Sequence, residues 1–298
     1  MQDCRQVLRI ARIGFSETWE VPCMYAILLL CLLLRAETTM TAAAAACRLF
    51  VTAVLPGLFP YMVISLMLAS RVKRLRPGLV QVLGWGGGSP AGARLIPLCQ
   101  GLTRRDQVRL AVSCATMSPM FLLGTVGGWL QSSWAGAVCL ISVIAGGWLA
   151  GEIARLCSRR EPPGPPQAGA GGSLEALSFG SAVEQSARTM LLVCGTMVML
   201  RVFAALAAEI LPNGLILPVT TLLEVTTGTS AIATLPLPLA LRAALIAGAC
   251  GFGGMAIVMQ NRAVLGADFM PLGLQVAFQA LHGLFSFLVA RGLMLLIG

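Results

Sequence analysis

Charged residues are scarce in this sequence. Asp, Glu, Lys and Arg together make up 11% of its 298 residues, whereas soluble domains carry about 25%. Hydrophobic residues make up 57%. A water-soluble globule of this composition would lack the polar side chains that its surface needs. The composition therefore predicts an all-α polytopic membrane protein, with the lipid bilayer as its surroundings.

Histidine and paired cysteines are also lacking. His282 is the single histidine, and none of the ten cysteines forms a C-x-x-C pair. These features argue against a metal site and against a disulfide framework. The sequence contains no G-x-S-x-G, Walker-type P-loop or H-E-x-x-H motif either. We therefore expect neither an enzyme nor a bound cofactor, and the sequence leaves open whether H⁺ or Na⁺ acts as a coupling ion.

Positive charge is in excess, with a formal net charge of +9. In a membrane protein an excess of Arg marks cytoplasmic loops, so this charge needs no nucleic-acid partner. The densest arginine clusters lie at 71–76, 104–109 and 155–160. Placing all three clusters on the cytoplasmic side also places Arg5, Arg9 and Arg12 there, so that the N-terminus is cytoplasmic.

Apolar segments predict a series of membrane helices. They lie at about 21–34, 43–70, 110–130, 134–156, 188–208 and 272–296. The first segment is short for a span, and the arginines before it are also typical of a signal peptide. We favour a retained helix because the next apolar segment begins almost at once.

A Pro- and Gly-rich segment at 159–173 predicts a flexible linker between two halves. Residues 1–158 would hold the N-terminal helix and a first repeat, and residues 174–298 a second repeat. The stretch WGGGSPAGARL, Trp85–Leu95, has an arginine cluster on either side of it. If both clusters are cytoplasmic, the stretch must enter the membrane and return. It is predicted to form a re-entrant helical hairpin over about 82–101.

The two halves carry similar landmarks in the same order. GGGSPAGA and then MSPMF occur in the first half, and EVTTGTSA and then GFGGM occur in the second. The second hairpin would cover about 214–238. Because the first unit starts outside and the second inside, the two repeats would have inverted topology, each with a re-entrant hairpin and a broken transmembrane helix. Such repeats point to the midplane solute site of a secondary transporter.

Candidate solute-binding residues lie at the hairpin tips and helix breaks, where backbone groups and charges could face a cavity. In the first half they are Ser89, Pro90, Gly92, Arg94 and Ser118. In the second half they are Glu224, Thr226, Thr227, Gly228, Gly253, Gly254 and Gln260. Arg94 would suit an anion, or it could be structural instead. An ion pair between Arg94 and Glu224 that locks the two hairpins is a further alternative.

Several motifs together carry a family resemblance. The segments VLPGLFPYMVIS, GGGSPAGARL, SPMFLLGTVG, LLEVTTG and GFGGMAIVMQNRAVL occur in this order. The chain thereby resembles sporulation integral membrane proteins of the YlbJ type. Those belong to the nucleoside-recognition (gate) domain group, which is similar in fold to concentrative nucleoside transporters. Ser89 stands where that family usually has Tyr, and Arg94 where it usually has Lys.

The resemblance implies a role in endospore formation, in the mother-cell (outer forespore) membrane. It implies a secondary-type transporter of a small organic anion, dipicolinic acid, which Arg94 and helix N-termini would suit. A transporter of a nucleoside-like solute and a non-transporting membrane scaffold for sporulation proteins are the alternatives. The sequence does not decide whether the chain forms a homo-oligomer.

Overall fold

The computed structural model describes residues 22–72, 75–99, 101–158 and 177–297, and every regular element among them is helical. The predicted linker at 159–173 and the arginines at positions 5, 9 and 12 lie outside the described residues. Within those residues, five helices are long and apolar enough to cross a membrane. They are Ala36–Arg71, Ser133–Cys157, Phe179–Ala208, Leu239–Leu265 and Leu272–Ile297.

The first half contains one short helix, one very long helix, a pair of short helices, an interrupted helix and a final long helix. They are α1 (Pro22–Leu34), α2 (Ala36–Leu49), α3 (Leu55–Arg71), α4 (Pro77–Gly87), α5 (Ala91–Leu95), α6 (Arg104–Ser113), α7 (Gly127–Trp129) and α8 (Ser133–Cys157). A π-helical turn at Phe50–Val54 joins α2 to α3 without a break, and a second one at Phe121–Val126 leads into α7.

The second half repeats this order of long helix, short pair, interrupted helix and long helix. Its elements are α9 (Phe179–Ala208), α10 (Asn213–Leu223), α11 (Val225–Ala233), α12 (Leu239–Phe252), α13 (Gly254–Leu265) and α14 (Leu272–Ile297), with a 3₁₀ turn at Ala267–Phe269. We call α4 with α5 the first helix pair, and α10 with α11 the second. Both pairs lie close to the predicted hairpin positions, although α4 begins before residue 82.

The start predicted for the helix over about 110–130 was wrong, and its interruption lies slightly earlier than the Ser118–Pro119 break that was expected. Helix α6 begins at Arg104, because Thr103 caps it by accepting a hydrogen bond from the Asp106 N–H at 3.2 Å. It ends at Ser113, and helix resumes only at Pro119. Proline disfavours the helical conformation for the residue before it, so the interruption at 114–118 precedes Pro119 instead of centring on it.

Two ends of the helical bundle can be recognised from polar contacts. At one end Arg105 donates to the Ser158 carbonyl, Arg109 pairs with Glu152, and the Leu177 N–H donates to Ser70. We call this the basic end. At the other end Arg35 pairs with Glu209 at 3.0 Å, which joins the start of α2 to the end of α9. The long helix α2–α3 therefore runs antiparallel to α9.

Small residues bring α8, α12 and α14 into close contact. A Cβ at Gly283 of α14 would lie 2.8 Å from the Gly248 carbonyl oxygen of α12, and one at Gly147 of α8 would lie 3.1 Å from the His282 ring. Close backbone approach of this kind is the usual way in which membrane helices pack. His282 is fully buried, and its Nε2 donates to the Val143 carbonyl at 2.9 Å. One of its two ring nitrogens is thus hydrogen-bonded, whereas Nδ1 has no protein partner.

This packing generates a stability prediction. Gly283→Ala should lower the free energy of unfolding by about 1–3 kcal/mol, because the new methyl group overpacks the contact with Gly248. Gly292→Ala in the same helix meets nothing within 4 Å, so it should be neutral or slightly stabilising. Thermal unfolding of the detergent-purified variants measures both. Equal melting temperatures for the two variants would contradict the packing.

Candidate functional site

A cavity lies between the two halves. We call it the site cavity. Five polar side chains line it, namely Ser89, Ser118, Glu224, Thr226 and Gln260. All five are among the predicted site residues. The remaining walls are apolar and come from both halves, with Phe121 on one side and Met197 on the other. A largely apolar cavity with a few convergent polar groups is typical of small-molecule sites.

The turn between α4 and α5 places Ser89 in the cavity wall. Gly88 precedes it with a φ of +67°, a conformation that favours glycine. A Cβ at Gly88 would lie 2.7 Å from the Ser118 backbone nitrogen. The Ser89 N–H donates to the Thr116 carbonyl at 2.7 Å. The tip of the first helix pair therefore rests on the interrupted segment 114–118, and a side chain at position 88 would prevent this contact.

Glu224 occupies the corresponding turn between α10 and α11. Its two carboxylate oxygens accept hydrogen bonds from the Thr226 N–H at 3.0 Å and the Thr227 N–H at 2.7 Å. The carboxylate thus caps the N-terminus of α11, where the helix dipole favours negative charge. Glu224 is only 1% exposed. Thr226 and Thr227 consequently hold Glu224 through their backbone, and of these two only Thr226 also lines the cavity.

The second helix pair also rests on a helix interruption. Gly253 separates α12 from α13 with a φ of +75°, and Gly254 follows with a φ of +68°. A Cβ at Gly254 would lie 3.2 Å from both the Leu223 carbonyl oxygen and the Val225 nitrogen, on either side of Glu224. Gly254 therefore packs against the tip that carries Glu224, whereas a Cβ at Gly253 would meet only Ile257 of α13. Neither of these predicted site residues lines the site cavity.

Two hydrogen bonds lie beside the cavity, and the first of them joins the two halves while the second lies within the second half. Ser89 Oγ donates to Asn261 Oδ1 at 2.7 Å, and Gln260 Nε2 donates to Thr196 Oγ1 at 2.8 Å. Sequence reasoning missed Asn261 and Thr196. Asn261 directly follows Gln260, so the polar pair within an apolar helix was a usable signal. Thr196 gave no such signal, because the hydroxyl of a Thr in an apolar helix commonly donates to a carbonyl of its own helix.

Other predicted site residues lie outside the cavity wall. The side chain of Arg94 is half-buried and donates to the Gln185 carbonyl of α9 at 3.0 Å. Pro90 is buried in the first tip without lining the cavity. Gly92 lets α5 approach α4, since a Cβ there would lie 2.9 Å from the Gly84 Cα. Gly228 does the same for α11 and α10, beside Thr221.

The alternative ion pair between Arg94 and Glu224 is not formed. Each of these two residues is described, and each bonds to backbone groups instead. Glu224 is therefore the one formally charged side chain among the described residues that line the site cavity. Among the same described residues of the chain, no three His, Cys, Asp or Glu side chains are grouped closely enough to hold a metal ion.

The class of protein follows from the helices described above. Over its described residues the chain is all-helical, with five helices long and apolar enough to span a membrane. Comparison with known protein families, with curated proteins and with solved structures found no match in any of the three.

The cap formed by Glu224 generates a second stability prediction. Glu224→Ala should lower the free energy of unfolding by about 2 kcal/mol, because two backbone N–H groups lose a buried, charged acceptor. Glu184→Ala is the matched control, since Glu184 is 65% exposed and forms a surface pair with Arg188. That change should have little effect. Chemical denaturation in detergent distinguishes the two, and an equal loss would refute the capping role.

Proposed function

We propose that this chain is a secondary-type membrane transporter that moves a small solute by alternating access between two inverted-topology repeats. The site cavity carries this proposal. Two helix-pair tips and two helix interruptions enclose it, and its polar lining converges from both halves. Helices that stop inside an apolar bundle expose backbone groups, and such discontinuous helices are typical of transporter sites.

The polar contacts support inverted topology. The first helix pair follows α3, which ends at the basic end beside Leu177. The second pair follows α9, which ends at the opposite end, where Glu209 meets Arg35. The two pairs thus begin at opposite ends of the bundle, yet both tips reach the same cavity. This is the arrangement expected of two re-entrant hairpins that enter a membrane from opposite faces.

The distribution of arginine supports an orientation. We infer that the basic end is cytoplasmic, because Lys and Arg concentrate in cytoplasmic loops. The N-terminus would then be cytoplasmic as well. Location in the outer forespore membrane and a role in endospore formation are proposals that rest on the family resemblance alone.

The charge of the lining favours a neutral solute that offers hydrogen-bond donors. Each carboxylate oxygen of Glu224 accepts one backbone N–H and keeps a second acceptor position. A hydroxyl or amine of a nucleoside-like solute would suit these positions. A carboxylate at 4 Å would instead be repelled by about 4 kcal/mol at an effective dielectric constant of about 20.

A small organic anion such as dipicolinic acid is the second candidate, and Arg94 favours it. Arg94 follows the tip that carries Ser89 and already reaches the Gln185 carbonyl of the facing helix. Its guanidinium could exchange that carbonyl for a solute carboxylate, with which it forms stronger, charge-assisted bonds. A non-transporting membrane scaffold remains the alternative to both transport proposals.

Uptake into liposomes that contain the purified protein tests the proposal. We expect saturable uptake of uridine, a neutral nucleoside with several donors. Glu224→Gln should reduce uptake roughly tenfold to a hundredfold, because a hydrogen bond to a charged group contributes about 1.5–3 kcal/mol. Glu184→Gln, at an exposed position, should match the wild type.

The other outcomes separate the alternatives. Uptake of dipicolinate but not uridine, abolished by Arg94→Ala, would favour the anion transporter. If the folded protein takes up neither solute, the transport proposal is wrong and the scaffold is favoured. Size-exclusion profiles of every variant show whether a loss of uptake reflects misfolding.

A further inference from the structure

A second cavity lies between α6, the end of α13 and the start of α14. Phe269 lines it and carries the Arg104 guanidinium 4.2 Å above its ring, so the cavity is at the basic end. We call it the basic-end cavity. Its polar lining consists of Asn261, Arg262, Gln275 and Gln279.

Asn261 connects the two cavities. Its side chain lines the basic-end cavity, and its Oδ1 accepts the 2.7 Å hydrogen bond from Ser89, which lines the site cavity. The preceding residue, Gln260, lines the site cavity, so consecutive residues of α13 face different cavities. Ser89 and Asn261 are 8% and 3% exposed. Their buried contact joins the first helix-pair tip to α13 at the boundary between the two cavities.

Gln279, which lines the basic-end cavity, has an unused hydrogen-bond acceptor. The residue is 2% exposed, and its Oε1 has no protein partner. Burying a polar atom without a partner is unfavourable, and such an atom in a native protein needs an explanation. A hydrogen-bond donor on a bound molecule would provide the missing partner. Arg262 is less available, because it donates to the Ala267 and Met270 carbonyls at 2.7 Å each.

We propose that the basic-end cavity is a second binding station for the transported solute, separated from the site cavity by the Ser89–Asn261 hydrogen bond. It takes a neutral molecule with hydroxyl or N–H donors, one of which binds Gln279 Oε1. This assignment rests on the proposed function and extends it to a path from the site cavity to the basic end. Opening of the path requires the first helix-pair tip to separate from α13.

Cysteine labelling tests the passage without any solute. Thr226→Cys reports on the site cavity and Gln275→Cys on the basic-end cavity, with a membrane-impermeant methanethiosulfonate reagent added at the basic end of oriented vesicles. Peptide mass spectrometry reads each position separately, so the native cysteines do not interfere. We expect Asn261→Ala and Ser89→Ala each to speed reaction at position 226 about fivefold, the factor for one buried hydrogen bond. Asn213→Ala, at an exposed site on α10, is the control.

Protection by uridine tests the binding station. Uridine should slow labelling at both reporter positions. Gln279→Leu should abolish protection at position 275 and leave protection at position 226 intact, because it removes the acceptor in the basic-end cavity alone. Dipicolinate, which lacks the required donors, should protect position 275 weakly.

Three results would overturn the proposal in distinguishable ways. Unchanged labelling at position 226 in both Asn261→Ala and Ser89→Ala would rule out the closed passage. Uridine protection at position 226 but not at 275 would rule out the second station while the proposed function stands. Protection at neither position, together with no uptake into liposomes, would refute the station and the proposed function alike.

Discussion

A helix that ends inside an apolar bundle leaves backbone N–H and carbonyl groups that must find hydrogen-bond partners. The rest of the arrangement depends on which groups become those partners. At the second helix pair, Glu224 satisfies the first N–H groups of α11 with its own carboxylate. At the first pair, the Ser89 N–H bonds to the Thr116 carbonyl of the interrupted segment. Each half therefore pairs a turn with a helix interruption, and the cavity lies where the two arrangements meet.

Glycine makes these contacts sterically possible. Gly88 and Gly254 both have positive φ, and both bring backbone within about 3 Å of where a Cβ would stand. A side chain at either position would separate the tip from the interruption and open the cavity wall. The same residues that weaken these segments as helices are thus required for the tertiary contact.

Glu224 and Arg94, the two charged residues among the predicted site residues, make different contacts in the structure. Glu224 is in the cavity, with its charge partly compensated by the dipole of α11. Arg94 is directed at the α9 backbone and ties the first helix pair to it. This difference underlies the proposal that the cavity takes a neutral donor and not an anion. The Ser89–Asn261 hydrogen bond lies at the boundary between the site cavity and the basic-end cavity.

Composition and the positions of Gly, Pro and Glu by themselves determined three features. They are the all-helical class with apolar helices of membrane-spanning length, the two helix pairs near 82–101 and 214–238, and five polar residues of one cavity. These follow from local chemistry: scarcity of charge, and Gly, Pro and Glu at positions where helices cannot continue. Only the tertiary structure decided that Arg94 faces α9, that Asn261 meets Ser89, and that α6 starts at Arg104. Those outcomes depend on which helix lies opposite each side chain, and local sequence holds no record of residues 91 or 172 positions away.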